Sequence, residues 1–143
     1  MMSEALPKKS LAFRFASNVL LVLRENAYTP TDTDWDDFLR VLVENRANFA
    51  KLRILVRTEG GGPNVAQRKR LQTALDGRPI RVAVVTNSLP VRFLVSSIAL
   101  LNREIRSFAN DEIASAYEHL GLSPAEQRLA ERVLAELSMD VEF

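Results

Sequence analysis

The chain contains no cysteine. Disulfides, thiolate zinc sites and cysteine nucleophiles are therefore excluded. Histidine is almost as scarce. His119 is the single one, so any Ser–His–Asp arrangement would have to use it. It sits near the end of an expected helix, where an imidazole serves as a favourable charge on the dipole. No serine lies in a Gly-x-Ser-x-Gly setting. An excess of one charge is missing too: 19 basic residues face 18 acidic ones, a net +1. A nucleic-acid binder usually shows a clear basic surplus, so no nucleic-acid partner is expected. Long apolar runs are also lacking. The most apolar segment, 89–101, is shorter than the ~20 residues of a membrane span and contains Arg92, Ser96 and Ser97. Lys8 and Lys9 have no apolar run behind them, because Arg14 interrupts Leu11–Phe15. No secretory signal is expected at residues 1–10, and the protein is read as cytoplasmic.

What is present is ordinary for a globular chain. It has 143 residues, of which 47% are apolar and 26% charged, enough for a single domain with its own core. Leu11, Phe13 and Phe15 alternate on one face of a first strand, and Val19–Arg24 forms a second. The two-residue gap Ser17-Asn18 predicts an antiparallel hairpin. A loop rich in turn formers follows. Trp35, Phe38, Leu39 and Leu42 then recur at helical spacing, predicting a helix over 34–48 capped by Thr33, with Asp34, Asp36 and Asp37 in its first turn. Leu52–Thr58 is a strand, and 65–75 a helix opened by the capping box Asn64…Gln67. Ile80–Thr86 is apolar on both faces, as a central strand should be. Ser88 caps a helix to about Asn102, Arg103–Phe108 is a short strand, and Asn110 caps a helix to Leu120. Ser123-Pro-Ala-Glu126 starts a last helix with Leu129, Val133 and Leu137 on one stripe. Strands alternating with helices predict an α/β fold with a mostly parallel sheet and right-handed crossovers.

Few segments suggest chemistry. The loop Glu59-Gly-Gly-Gly-Pro-Asn64 precedes a helix, where backbone N–H groups can cradle an anion. It lacks both the Lys-Ser/Thr ending of a phosphate-binding loop and the spacing of a dinucleotide fingerprint, so a plain turn is the simpler reading. Asp32, Asp34, Asp36 and Asp37 form an acidic cluster without the glycine turn and distant glutamate of a calcium loop. Helix capping accounts for it, and no metal or cofactor is expected. Gln67-Arg-Lys-Arg70, with Arg78 and Arg81, makes the basic patch, which reads as a solvated helix face or a contact for an acidic partner. Paired acid and base, metal set and activated nucleophile are all lacking, so an enzyme is the least expected class.

The order of elements resembles the STAS family, the domain of anti-sigma-factor antagonists. The likeness covers about 11–122: the opening hairpin, the strand Leu52–Thr58 breaking into a capping loop, the strand Val82–Thr86, and the ending Arg103-Glu-Ile-Arg-Ser-Phe108 before an acidic-capped, alanine-bearing helix. The helix at about 124–138 would be an addition to that core. The resemblance implies a non-catalytic bacterial signalling module that binds a protein partner. In the antagonist branch a Ser or Thr at the helix after the third strand is phosphorylated. Here Gly60–Asn64 has no hydroxyl, and no phosphoacceptor carries over. The implied alternative is a domain that binds a small ligand or lipid.

Loops at strand C-terminal ends are where open α/β sheets bind. That rule puts 58–64, 86–88 and 109–111 on one edge. The expected binding surface comprises Thr58, Gly61, Gly62, Asn64, Arg68, Arg70, Asn87 and Ser88. Leu89, Phe93, Leu94, Ser97, Ile98 and Leu101 form one stripe, while Val91, Val95 and Ala99 add apolar surface beyond it. A helix apolar nearly all round needs cover on two sides. The C-terminal helix is expected to supply the second cover, with a homodimer through the 89–101 helix as the alternative. A small ligand or lipid, if bound, would use the same strand-end edge or a pocket beneath this helix.

Overall fold

The structure, a computed structural model, describes residues 8–100 and 102–143. Leu101 and the N-terminal reading of residues 1–7 lie outside the described residues. Five strands form one mixed sheet in the order β1-β2-β3-β4-β5: Leu11–Ser17, Leu20–Glu25, Arg53–Thr58, Arg81–Val85 and Ile105–Phe108. β1 and β2 pair antiparallel through a two-residue turn, Asn18-Val19, one residue later than expected. The remaining neighbours pair in parallel, so Glu25, Thr58, Val85 and Phe108 end on the same edge.

The helices are α1 (Asp32–Glu44), α2 (Val65–Leu75), α3 (Leu89–Ala99), α4 (Ile113–Leu120) and α5 (Pro124–Ser138). Side-chain alternation along β2 divides them into two layers. Leu21 and Leu23 belong to a core with α1, α2 and α3, through Trp35, Phe38, Ala74, Val91 and Val95. Leu20 and Val22 belong to a second core with α4 and α5, through Tyr117, Leu120, Ala130, Leu134 and Leu137. All six residues of β2 are buried because both of its faces are covered.

Local signals place several helix ends. Asn64 and Gln67 form the capping box of α2, and Ser123 and Glu126 that of α5. Ser88 Oγ accepts from the Val91 N–H at the head of α3. α1 differs. It begins at Asp32 under a Thr31 cap and stops at Glu44, followed by a 3-10 turn at Arg46–Asn48. Asp32 and Thr33 are the extra residues, and Asp32 is held there as its carboxylate accepts from Gln67 Nε2. Asp34, within the expected helix, accepts from the Ser10 N–H and hydroxyl. Asn110 opens a 3-10 turn before α4 and does not cap it. Instead, the Glu112 carboxylate accepts from the Ala109 N–H.

The C-terminal helix differs more. α5 packs on β1 and β2 on the opposite face of the sheet from α3. It is half of the second layer and no cover for α3. Its inward residues are Ala130, Val133, Leu134 and Leu137, and Leu129 sits at the rim. α3 is also turned from the expected stripe. Val91 and Val95 face inward with Leu94 and Ile98 half-buried, while Leu89, Phe93 and Leu100 are exposed.

Candidate functional site

The space between the sheet and α1–α3 is not completely filled. α2 leans on α1 and α3 on β5, which leaves the two helices apart. Only Gln67 and Ala74 of α2 are buried, and a methyl at Ala74 reaches less far than a larger side chain would. The result is an apolar cavity of about 110 Å³ under α3, bounded by Trp35, Phe38, Val56, Val84, Val95 and Ile98 among others. Leu71, Leu75, Leu94, Ile98 and Ile105 also border a wider groove of about 750 Å³ between α2 and α3. Cavity and groove thus share a wall, formed by the half-buried Leu71, Leu75, Leu94 and Ile98 with the buried Ile105.

Among the described lining residues, one ionisable side chain breaks the apolar lining. Leu21 and Leu23 point into the α1–α3 layer, so the period of two puts Glu25 there as well. Glu25 is 5% exposed, and its Oε2 has no hydrogen-bond partner among the described residues. Burial pushes its carboxyl up to about 8, with no neighbouring charge to offset the loss of water. Arg24 cannot help, because it projects from the other face. Its guanidinium binds Glu59 at 2.6 Å, its Nε donates to Ser138 Oγ at 3.2 Å, and it lies 4.5 Å from the centre of the Phe143 ring. Thr58, opposite Glu25 in the β2–β3 register, spends its hydroxyl elsewhere, donating to the Gly61 carbonyl at 2.7 Å.

The expected site residues fall into three groups. Thr58, Gly61 and Gly62 meet at the cavity. The Gly61 N–H donates to the Asn26 carbonyl at 2.9 Å, and a Cβ at position 61 would collide with the carbonyl oxygens of Tyr28 and Asn26. Gly61 is therefore a glycine through close backbone approach. Gly62 lies against Leu94 of α3. Asn64, Asn87 and Ser88 are occupied in holding the edge together: Asn64 and Ser88 cap helices, and Asn87 Oδ1 accepts from the Asn110 N–H at 2.9 Å. Arg68 and Arg70 part company. Arg68 donates to the Pro63 carbonyl at 3.2 Å and borders the groove. Arg70 reaches across to α1, pairing with Asp32 at 2.9 Å and Asp36 at 3.3 Å. Its hydrogen bond holds the Asp32 carboxyl below the ordinary range, second to that of Gln67. The acidic cluster and the basic patch thus neutralise one another in part. His119 is also engaged, its Nε2 lying 2.9 Å from the Glu104 carbonyl.

The sequence reading passed over Glu25, because it ended the second strand at Arg24. It also passed over Gln67 as a buried hub, whose Nε2 donates to the Pro30 carbonyl at 2.8 Å and whose own carbonyl accepts from Trp35 Nε1 at 3.0 Å. Counting the alternation two residues past Leu23 would have found Glu25.

Comparison of the chain with protein-family models, with curated proteins and with solved structures finds no match. Among the described residues, no helix is long and apolar enough to cross a membrane, and no group of three or more His, Cys, Asp or Glu side chains could hold a metal ion.

Proposed function

We propose that this chain is a non-catalytic binding domain of STAS-like type, and that it holds a small, mostly apolar molecule in the cavity beneath α3. The observation that supports this is the pairing of an apolar cavity with a single buried, unpartnered carboxyl, that of Glu25. Buried polar groups are nearly always hydrogen-bonded, and one left over beside empty space is the mark of a missing partner. The element order supports the STAS-like part: a hairpin followed by strand–helix units. Native mass spectrometry of the gently purified protein tests the reading. A discrete excess mass that disappears on denaturation is the expected result. A clean mass that no small apolar compound increases would overturn it.

A second reading has its own observation. Leu89, Phe93 and Leu100 lie on the outer side of α3 and its end, each more than 60% exposed. Three such residues on one element fit contact with a protein partner or with a second copy of this chain, in keeping with a regulatory module. The same spectra check this: a dimer that Phe93→Ser dissociates would favour the second copy. An identical monomer before and after the change would set that occupant aside.

A further inference from the structure

The walls around Glu25 restrict what can satisfy it. β2, β3, β4, β5, α1, α2 and α3 all contribute to the cavity, and among the described lining residues Glu25 is the only one that titrates. Among the described lining residues, Thr58 and Trp35 carry the other polar side-chain atoms, and both are committed: the Thr58 hydroxyl to the Gly61 carbonyl and Trp35 Nε1 to the Gln67 carbonyl. Arg24, the next cation along the strand, is bound to Glu59 on the opposite face. The site therefore contains an acceptor with neither a donor nor a counter-charge. A ligand carboxylate or phosphate would bring a like charge to it. A neutral hydroxyl would supply a donor but no charge. An ammonium supplies both, and charge-assisted hydrogen bonds are about twice as strong as neutral ones. Size is limited too. The cavity of about 110 Å³ is somewhat smaller than the ~150 Å³ apolar cavity that accepts benzene, so a single ring or a short branched chain is the upper limit.

We propose that the ligand is a small hydrophobic primary amine, whose ammonium donates to Glu25 Oε2 while its apolar body fills the space between the sheet and α3. This rests on the cavity being a ligand site, as proposed above. Ionising Glu25 in the complex sends its proton to solvent, so amine binding and proton release are coupled. In the empty protein the carboxyl stays protonated up to about pH 8. Amine affinity then rises about tenfold per pH unit below that value and levels off above it. A neutral apolar ligand behaves oppositely, with flat affinity at low pH that weakens once Glu25 ionises.

Benzylamine, benzyl alcohol and toluene share one ring and differ in the group offered to Glu25. Trp35 is the sole tryptophan and borders the cavity, so its emission reports occupancy directly. Titrations of the full chain between about pH 6 and about pH 8 should show benzylamine favoured over benzyl alcohol by roughly tenfold or more at the upper end. The amine should carry the rising pH slope. In Glu25→Gln, preference and slope should vanish while toluene binding persists. Should that variant fail to fold, the slope in the native protein decides alone. Toluene or benzyl alcohol binding as tightly as the amine, with no slope, would overturn the inference and leave the cavity reading standing. No response to any of the three would remove the cavity reading and the inference with it.

Discussion

Replacing Glu25 by glutamine should change the pH dependence of stability more than stability itself. The Glu25 carboxyl is raised from an ordinary 4.5 to about 8 by burial. Between those values the folded protein holds a proton that the unfolded chain has lost. Stability contributed by the neutral form is therefore complete below about pH 4.5 and declines as the pH climbs toward 8. At roughly 1.4 kcal/mol per pH unit, the full loss is about 5 kcal/mol, of which about 3 kcal/mol falls between pH 5 and 7.5. That is a large share of the ~5–15 kcal/mol that holds a domain together. Glutamine keeps the shape and removes the titration. Urea denaturation followed by Trp35 emission, repeated across this pH range, should show the wild-type protein losing about 3 kcal/mol relative to Glu25→Gln. The other titrating groups are common to both proteins and cancel. Two curves parallel to within ~0.5 kcal/mol would refute the reasoning, because Glu25 would then be ionising as it does in water.

Two further perturbations test the frame around the site. Gly61→Ala puts a methyl into the carbonyl oxygens of Tyr28 and Asn26. It should destabilise the fold by roughly 2 kcal/mol or more in urea denaturation, whereas Gly62→Ala, whose Cβ would meet Leu94 at an ordinary 3.6 Å, should stay within about 0.5 kcal/mol of wild type. On the opposite face, Arg53 joins β3 to α5 by pairing with Glu126 at 2.5 Å and donating to the carbonyls of Leu120 and Gly121 at 3.3 Å. Arg53→Ala should cost roughly 1–2 kcal/mol at neutral pH. The Arg53 guanidinium holds the Glu126 carboxyl below its ordinary value. The contribution is thus present at neutral pH and disappears as the pH falls through that lowered value, so the two denaturation curves should converge in acid.

How far the fold is legible in the sequence depends on the range of the signal. The Asn64–Gln67 and Ser123–Glu126 caps and the alternation of Leu11, Phe13 and Phe15 are local, and the structure has each in place. Which side of the sheet α5 would cover was not local. Its stripe fits either face, and the choice rests on partners more than a hundred residues away, such as Ser138 with Arg24 and Glu136 with Arg14. The same distance hid the site. Arg24-Glu25 reads as the charged exit of a strand, since charged residues are seldom fully buried. Here Arg24 is enclosed by Ser138, Glu59 and Phe143. Strand pairing to Thr58 continues through Glu25, and the pleat then delivers the next carboxyl to the cavity. An arginine folded away to one side and a glutamate left alone on the other come from one extra residue of pairing. A chain selected for stability alone has no reason to keep the second, because a leucine at position 25 would extend the apolar row of Leu21 and Leu23 and fill part of the void. The cost that Glu25 imposes above pH 4.5 would be offset by a cation in the space beside it, which is what the proposed amine ligand supplies and what the Glu25→Gln comparison tests.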